Sequence, residues 1–261
     1  MKLVHKLATA LTVATALGAV FPAHADGPPF AASLAGDKKL PLPFGIGITL
    51  YDQLQDYRLD SLVLGIPGFD QLPLDRFAID NRVTDYNVQM DVWLFPFLNV
   101  FGLVGTIDGS TEVDFSDVPL PFPLGKLAIT YDGTVYGGGL TLAVGGDVWF
   151  TSLTGVATKS DLSGDFDSSA NSLVVMPRLG LHNDHGAIWV GAMYLESEEK
   201  HSGTIVLPYV GSVPFAVDLQ QKDRWNGLVG LHANLSEHWT LEVEGGFGAR
   251  SSASTTVGWR F

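Results

Sequence analysis

The stretch Thr84-Asp-Tyr-Asn-Val-Gln-Met-Asp-Val-Trp-Leu-Phe-Pro-Phe-Leu-Asn-Val-Phe-Gly-Leu-Val-Gly-Thr-Ile-Asp108 decides the fold. Its first arm alternates without a break, with Tyr86, Val88, Met90, Val92 and Leu94 on one face and Asp85, Asn87, Gln89 and Asp91 on the other. Period two means a strand with one apolar and one polar side. Pro96 to Asn99 make a short turn, and the chain returns with Phe101, Leu103, Gly105 and Ile107 set against Thr106 and Asp108. A soluble strand hides its apolar face in a core, whereas a membrane barrel turns that face to lipid and its polar face to the lumen. The barrel is the expectation here, with Phe101, Leu103 and Ile107 on the lipid side of the returning strand.

The N-terminus supplies the address. Lys2 and Lys6 precede an apolar run from Leu7 to Phe21 that ends in Ala23-His24-Ala25. Basic residues, a short apolar segment and a small-x-small site form the pattern of a secretory signal peptide. Residues 1–25 are read as that signal and 26–43, with four prolines, as a periplasmic lead-in. Losing the two lysines takes the formal charge from −13 to −15. So acidic a chain excludes nucleic acid as a partner, because phosphate contacts need clustered Lys and Arg. There is no cysteine, hence no disulfide framework and no thiolate metal site. After the signal, no apolar run reaches the ~20 residues a membrane helix needs. An exported chain that is apolar on average and lacks such a helix points to a β-barrel.

The remaining segments fit residues 44–261 to a closed, antiparallel, up-and-down transmembrane β-barrel, all-β and ten-stranded, with 8–12 strands compatible. Phe44, Ile46, Ile48 and Leu50 alternate with Thr49, Tyr51, Gln53 and Gln55; Leu173, Val175, Leu179 and Leu181 take one face, with Pro177 among them as a weak point of pairing. Tight turns at Gly145-Gly-Asp147, Asn183-Asp-His-Gly186 and Ser236-Glu-His238 alternate with long external loops near 58–82, 109–127, 160–170 and 197–221. Short periplasmic turns and longer external loops are the grammar of a membrane barrel.

The closing Thr255-Thr-Val-Gly-Trp-Arg-Phe261 resembles the C-terminal signature of Gram-negative outer-membrane β-barrel proteins. There a terminal aromatic, with apolar residues two and four places earlier, is read by the barrel-assembly machinery. Phe261, Trp259 and Val257 match it residue by residue. The resemblance implies a place in the outer membrane, with its lipid and the assembly machinery as partners.

Alternation places Asp85, Asp91, Glu242, Glu244, Arg178, Arg224, Arg250 and Arg260 inside the barrel. Four acids and four bases in a narrow lumen are costly unless paired, so they are expected as one hydrogen-bonded charge network. Three external loops carry apolar, proline-rich stretches: Leu62 to Gly68, Val118 to Leu124 and Ile205 to Val217. These either cap the barrel, extend its wall as hairpins, or bind a hydrophobic ligand or partner protein. His182, Asp184 and His185 fall at a turn and are explained as turn chemistry. His201 lies near Glu198 and Glu199 at the rim, yet nothing matches the motifs of omptin proteases or lipid A-modifying enzymes. No cofactor or metal ligand set is called for. The leading expectation is a non-enzymatic envelope barrel with a filled, charge-paired lumen. The alternatives are a narrow solute channel and, third, a rim-site hydrolase.

Overall fold

The computed structural model describes residues 28–35, 40–65, 78–116, 125–164, 166–207 and 211–261. A 3-10 turn at Ala32–Ala35 precedes eleven strands: β1 (Phe44–Leu64), β2 (Ala78–Phe95), β3 (Leu98–Asp114), β4 (Lys126–Gly145), β5 (Trp149–Gly164), β6 (Phe166–Asn183), β7 (Gly186–Leu207), β8 (Gly211–Gln221), β9 (Trp225–Asn234), β10 (Trp239–Gly248) and β11 (Arg250–Arg260). Ten of them close a ring. β1 to β7 pair in sequence, β7 pairs with β9, and β11 returns to β1 from Gly45–Arg260 to Gln55–Arg250. Closure leaves no free strand edge, which a spanning sheet requires because hydrocarbon offers backbone groups no partners.

β8 builds a second tier. It pairs with β7 from Glu199–Leu219 to Leu207–Gly211 and with β1 from Tyr57–Gln221 to Leu64–Phe215. At this level β1 to β8 close on themselves as a narrower collar above the ends of β9, β10 and β11. Much of the expected external loops is therefore strand. Within 58–82, 109–127, 160–170 and 197–221 the ladders continue, down to the tight β5–β6 and β7–β8 hairpins. Of the readings open for the apolar stretches, extension of the wall as hairpins holds for 62–64, 205–207 and 211–217, which pair in the collar. Residues 66–68, 118–124 and 208–210 of those stretches lie outside the described residues.

The outer face explains the two tiers. Around the ten-stranded ring Ile48, Leu50, Val104, Leu140, Leu153, Leu179, Ile188, Val190, Val229 and Val243 are exposed. Trp149, Trp239 and Trp259 flank this band at the short-turn end, and Trp225 and Phe247 flank it at the other. Aliphatics between aromatic girdles are the lipid-facing belt of a membrane barrel. Beyond the second girdle the outside turns to ion pairs: Arg82–Asp52 at 3.2 Å, Lys126–Glu112 at 2.6 Å, Lys222–Asp56 at 3.5 Å and Arg224–Glu196 at 3.0 Å. Such pairs belong in water, so the collar stands above the bilayer.

One facing is reversed from expectation. β2 and β3 register Val88 with Val104, Met90 with Gly102 and Val92 with Val100. The lipid side of β3 thus holds Val100, Gly102 and Val104, while Phe101, Leu103 and Ile107 point into the lumen. Both faces of this strand are apolar, so alternation alone could not orient it. Pro177 does sit at a lapse: pairing between β6 and β7 is missing between Val175–Tyr194 and Arg178–Gly191, with the register kept on both sides.

Candidate functional site

The lumen holds a cavity of about 550 Å³ that runs from Asp91 and Arg260 at the short-turn end to Leu162 and Ala170 in the collar. Its two sides differ. Thr49, Tyr51 and Gln53 of β1, Asp85 to Asp91 of β2, Glu242 and Glu244 of β10 and Ser254 and Thr256 of β11 form a polar arc. Opposite them runs an arc that is apolar along β3, with Phe101, Leu103 and Ile107, and mixed along β4 to β7, where Val135, Val156, Leu162, Val174, Met176, Met193 and Leu195 alternate with Thr141, Thr154, Thr158, Ser160, Ser172, Arg178 and Ser197.

The apolar arc is thin where β3 meets β4, and the sequence shows why. Five successive inward cross-strand pairs there set a glycine against a bulky residue: Phe101–Gly139, Leu103–Gly137, Gly105–Val135, Ile107–Gly133 and Gly109–Tyr131. A Cβ at Gly139 would run into the Phe101 ring, and one at Gly109 into the Tyr131 ring. The wall there is one side chain deep, and its bulky residues line the open cavity. Tyr131 is held in place by Asn81, whose Nδ2 donates to its hydroxyl at 2.8 Å.

The expected charge network resolves into separate clusters. Arg178 and Glu244 pair at 2.8 Å, with Glu242 at 3.9 Å from Arg178 and at 3.9 Å from His232. Trp189 completes this cluster: its ring lies 5.3 Å beneath the guanidinium, and its indole N–H donates to Glu244. A second cluster sits at the short-turn mouth, where Arg260 pairs with Asp91 at 3.0 Å and Asn99 donates to the same carboxylate at 2.6 Å. Arg260 also donates to the carbonyl of Leu42 at 2.8 Å, pinning the lead-in to the barrel.

Three expected members stand apart. Arg224 leaves the lumen, being half-exposed on Glu196 and on the Tyr194 hydroxyl. It precedes the first residue of β9, outside the alternation that was to point it inward. Arg250 does point inward but meets no carboxylate among the described residues; it is 1 % exposed and donates to the Arg224 carbonyl at 3.1 Å beneath the collar. Asp85 lines the cavity and accepts one hydrogen bond, from Asn87 at 3.1 Å.

Alternation found the charged residues but missed Trp189 and the glycine–bulky ladder. Both need the register between strands, which a single strand's periodicity does not carry. His182 and His185 lie at the β6–β7 turn, where Asn183 Oδ1 accepts from the backbone N–H of His185 at 2.9 Å. The side chains of Glu198, Glu199 and His201 lie outside the described residues. Among the described residues no three His, Cys, Asp or Glu side chains gather as a metal site.

The terminal signature lies at the closing seam. Val257 and Trp259 face outward, Trp259 stacks on Phe261 at 4.7 Å, and Phe261 exchanges backbone hydrogen bonds with Phe44 at 3.0 and 3.1 Å. A closed ring with lipid-facing aliphatics, aromatic girdles and a polar arc inside has one setting that satisfies every face. The chain is an outer-membrane β-barrel.

No protein-family model and no curated protein sequence matches the chain. Among solved structures it is similar to the transport unit of the autotransporter AIDA-I from Escherichia coli, at 10 % identity over 89 % of this chain and 94 % of that one, with a TM-score of 0.43. It is also similar to the translocator domain of the autotransporter NalP from Neisseria meningitidis, at 10 % identity over 84 % and 89 %, with a TM-score of 0.40. A third is the Pseudomonas putida toluene transporter TodX, at 10 % identity over 89 % and 92 %, with a TM-score of 0.34. The fold assignment itself rests on this chain's own closed ladder.

Proposed function

We propose that this barrel is a non-enzymatic narrow passage for small solutes that carry one apolar and one polar side. The observation that supports it is the two-sided cavity of about 550 Å³. That size suits a small organic molecule, since ligand sites typically span ~300–1,000 Å³. A barrel that served only as an anchor gains by filling its interior, because empty apolar volume forfeits packing. Here β3 and β4 do the reverse and set a glycine against a bulky residue in five successive inward pairs. The proline-rich apolar stretches of the external connections extend the proposal as a cap or docking point for a hydrophobic ligand or partner. Outer-membrane lipid and, during insertion, the assembly machinery reading Val257, Trp259 and Phe261 complete its proposed partners.

A second reading is a charge-paired plug. It draws on Arg260, which ties the lead-in to the short-turn mouth through Leu42 and Asp91. Single-channel recording of the refolded protein in a planar bilayer separates the two, with folding checked by circular dichroism. The passage predicts steady, selective openings. A folded but silent barrel overturns it in favour of the plug.

A further inference from the structure

Six charged side chains line the lumen cavity: Asp85, Asp91, Glu242, Glu244, Arg178 and Arg260. Five of them meet opposite charge, in the pair Arg260–Asp91 and in the cluster of Arg178 with Glu244 and Glu242. Asp85 does not. Its carboxylate accepts from Asn87, and among the described residues no basic group lies within ion-pair distance of it. A carboxylate that is only partly exposed in a narrow lumen and has no cation beside it is costly, so its place in the cavity asks for a partner from outside the chain.

The surroundings define that partner. Asp85 faces Ile107 across the β2–β3 ladder, and Ile107 faces Gly133 on β4. Beside the carboxylate, then, the wall is apolar and one side chain deep. Toward β1 its ladder partner is Tyr51, whose hydroxyl donates to Gln53 at 2.7 Å rather than to Asp85. Four carboxylates against two guanidiniums also leave the lining with an excess of negative charge.

We propose that Asp85 anchors the ammonium group of a small organic amine whose flat apolar body lies on the β3–β4 wall. This names a solute class for the passage and rests on that reading. An ammonium brings the N–H donors the carboxylate lacks, in a charge-assisted hydrogen bond. A simple inorganic cation would leave the apolar wall without a role. A matched carboxylic acid would bring like charge to Asp85.

The test uses the refolded full barrel in micelles at pH 7.5, titrated with phenethylamine and with 3-phenylpropionate by calorimetry. Each titration is repeated on Asp85→Asn and on the outer-surface control Asp161→Asn. The amine is expected to bind at least about tenfold tighter than the acid, a difference that one desolvated charge pair supplies. Asp85→Asn abolishes the preference and Asp161→Asn keeps it. Equal affinity of the unaltered barrel for amine and acid overturns the proposal, with no need for any variant to fold. So does a preference that survives Asp85→Asn. A barrel silent in the bilayer that still prefers the amine refutes the passage alone, whereas a conducting barrel without the preference refutes this inference alone.

Discussion

Trp189 reaches over Gly230 to donate its indole N–H to Glu244 at 2.7 Å. The three are register partners on β7, β9 and β10, with Gly230 in the middle. A Cβ at Gly230 would collide with the indole ring, so glycine there is what lets one strand's side chain reach past its neighbour. Arg178 approaches the same carboxylate from β6. Three strands, β6, β7 and β10, are thus tied together across β9 on the inner wall by one acid.

Trp189→Phe keeps the ring but removes the donor. One oxygen of a buried carboxylate then loses a hydrogen bond, a deletion that costs about 1–3 kcal/mol. Urea unfolding followed by circular dichroism should shift to lower midpoint by that amount. Gly230→Val should do worse, since it displaces the ring as well.

Arg178 and Arg250 both point inward, yet their removal should differ in sign. Arg178 neutralises Glu244 and Glu242, so Arg178→Met strands two inward carboxylates and should cost about 3–5 kcal/mol. Among the described residues Arg250 has no carboxylate to strand, and its guanidinium meets the Arg224 carbonyl and the Met193 sulfur. Arg250→Met replaces a desolvated charge with an apolar chain of similar length and should be neutral or stabilising. Parallel unfolding curves of the two variants check this. Equal destabilisation would mean that Arg250 carries an ion pair absent from its described surroundings.

Most of the architecture was legible in the sequence because period-two alternation is a local signal. β1, β4, β9 and β11 put outward the residues that their own pattern puts outward, and Val257, Trp259 and Phe261 mark the seam. What failed to read did so where local pattern lacks the information. β3 is apolar on both faces, because its inner face belongs to the apolar arc of the lumen, so its orientation came only with the Val88–Val104 register. β8 carries Pro214 and apolar residues in a stretch that looks like a loop, and becomes a strand because β7 and β1 both offer it an edge above the membrane. Arg224 left the lumen because alternation stops where a strand does. The ladder from Phe101–Gly139 to Gly109–Tyr131 is plain in the sequence once the two strands are aligned, and invisible before.

The orientation of β3 is itself testable with a pair of adjacent substitutions. Val104 is exposed on the belt and Leu103 lines the cavity. Arginine on the lipid face near the midplane of a barrel costs about 2–4 kcal/mol, while a lumen position mainly alters selectivity. Val104→Arg should therefore refold poorly, with a lowered unfolding midpoint. Leu103→Arg should insert and fold, and should shift the ion selectivity of any current toward anions. Had β3 faced the other way, as its Phe101, Leu103 and Ile107 pattern suggests when read alone, the two outcomes would exchange. The comparison needs no ligand and no knowledge of the solute. It decides whether the apolar arc belongs to the lumen, and the wall proposed to hold an amine's body stands or falls with that answer.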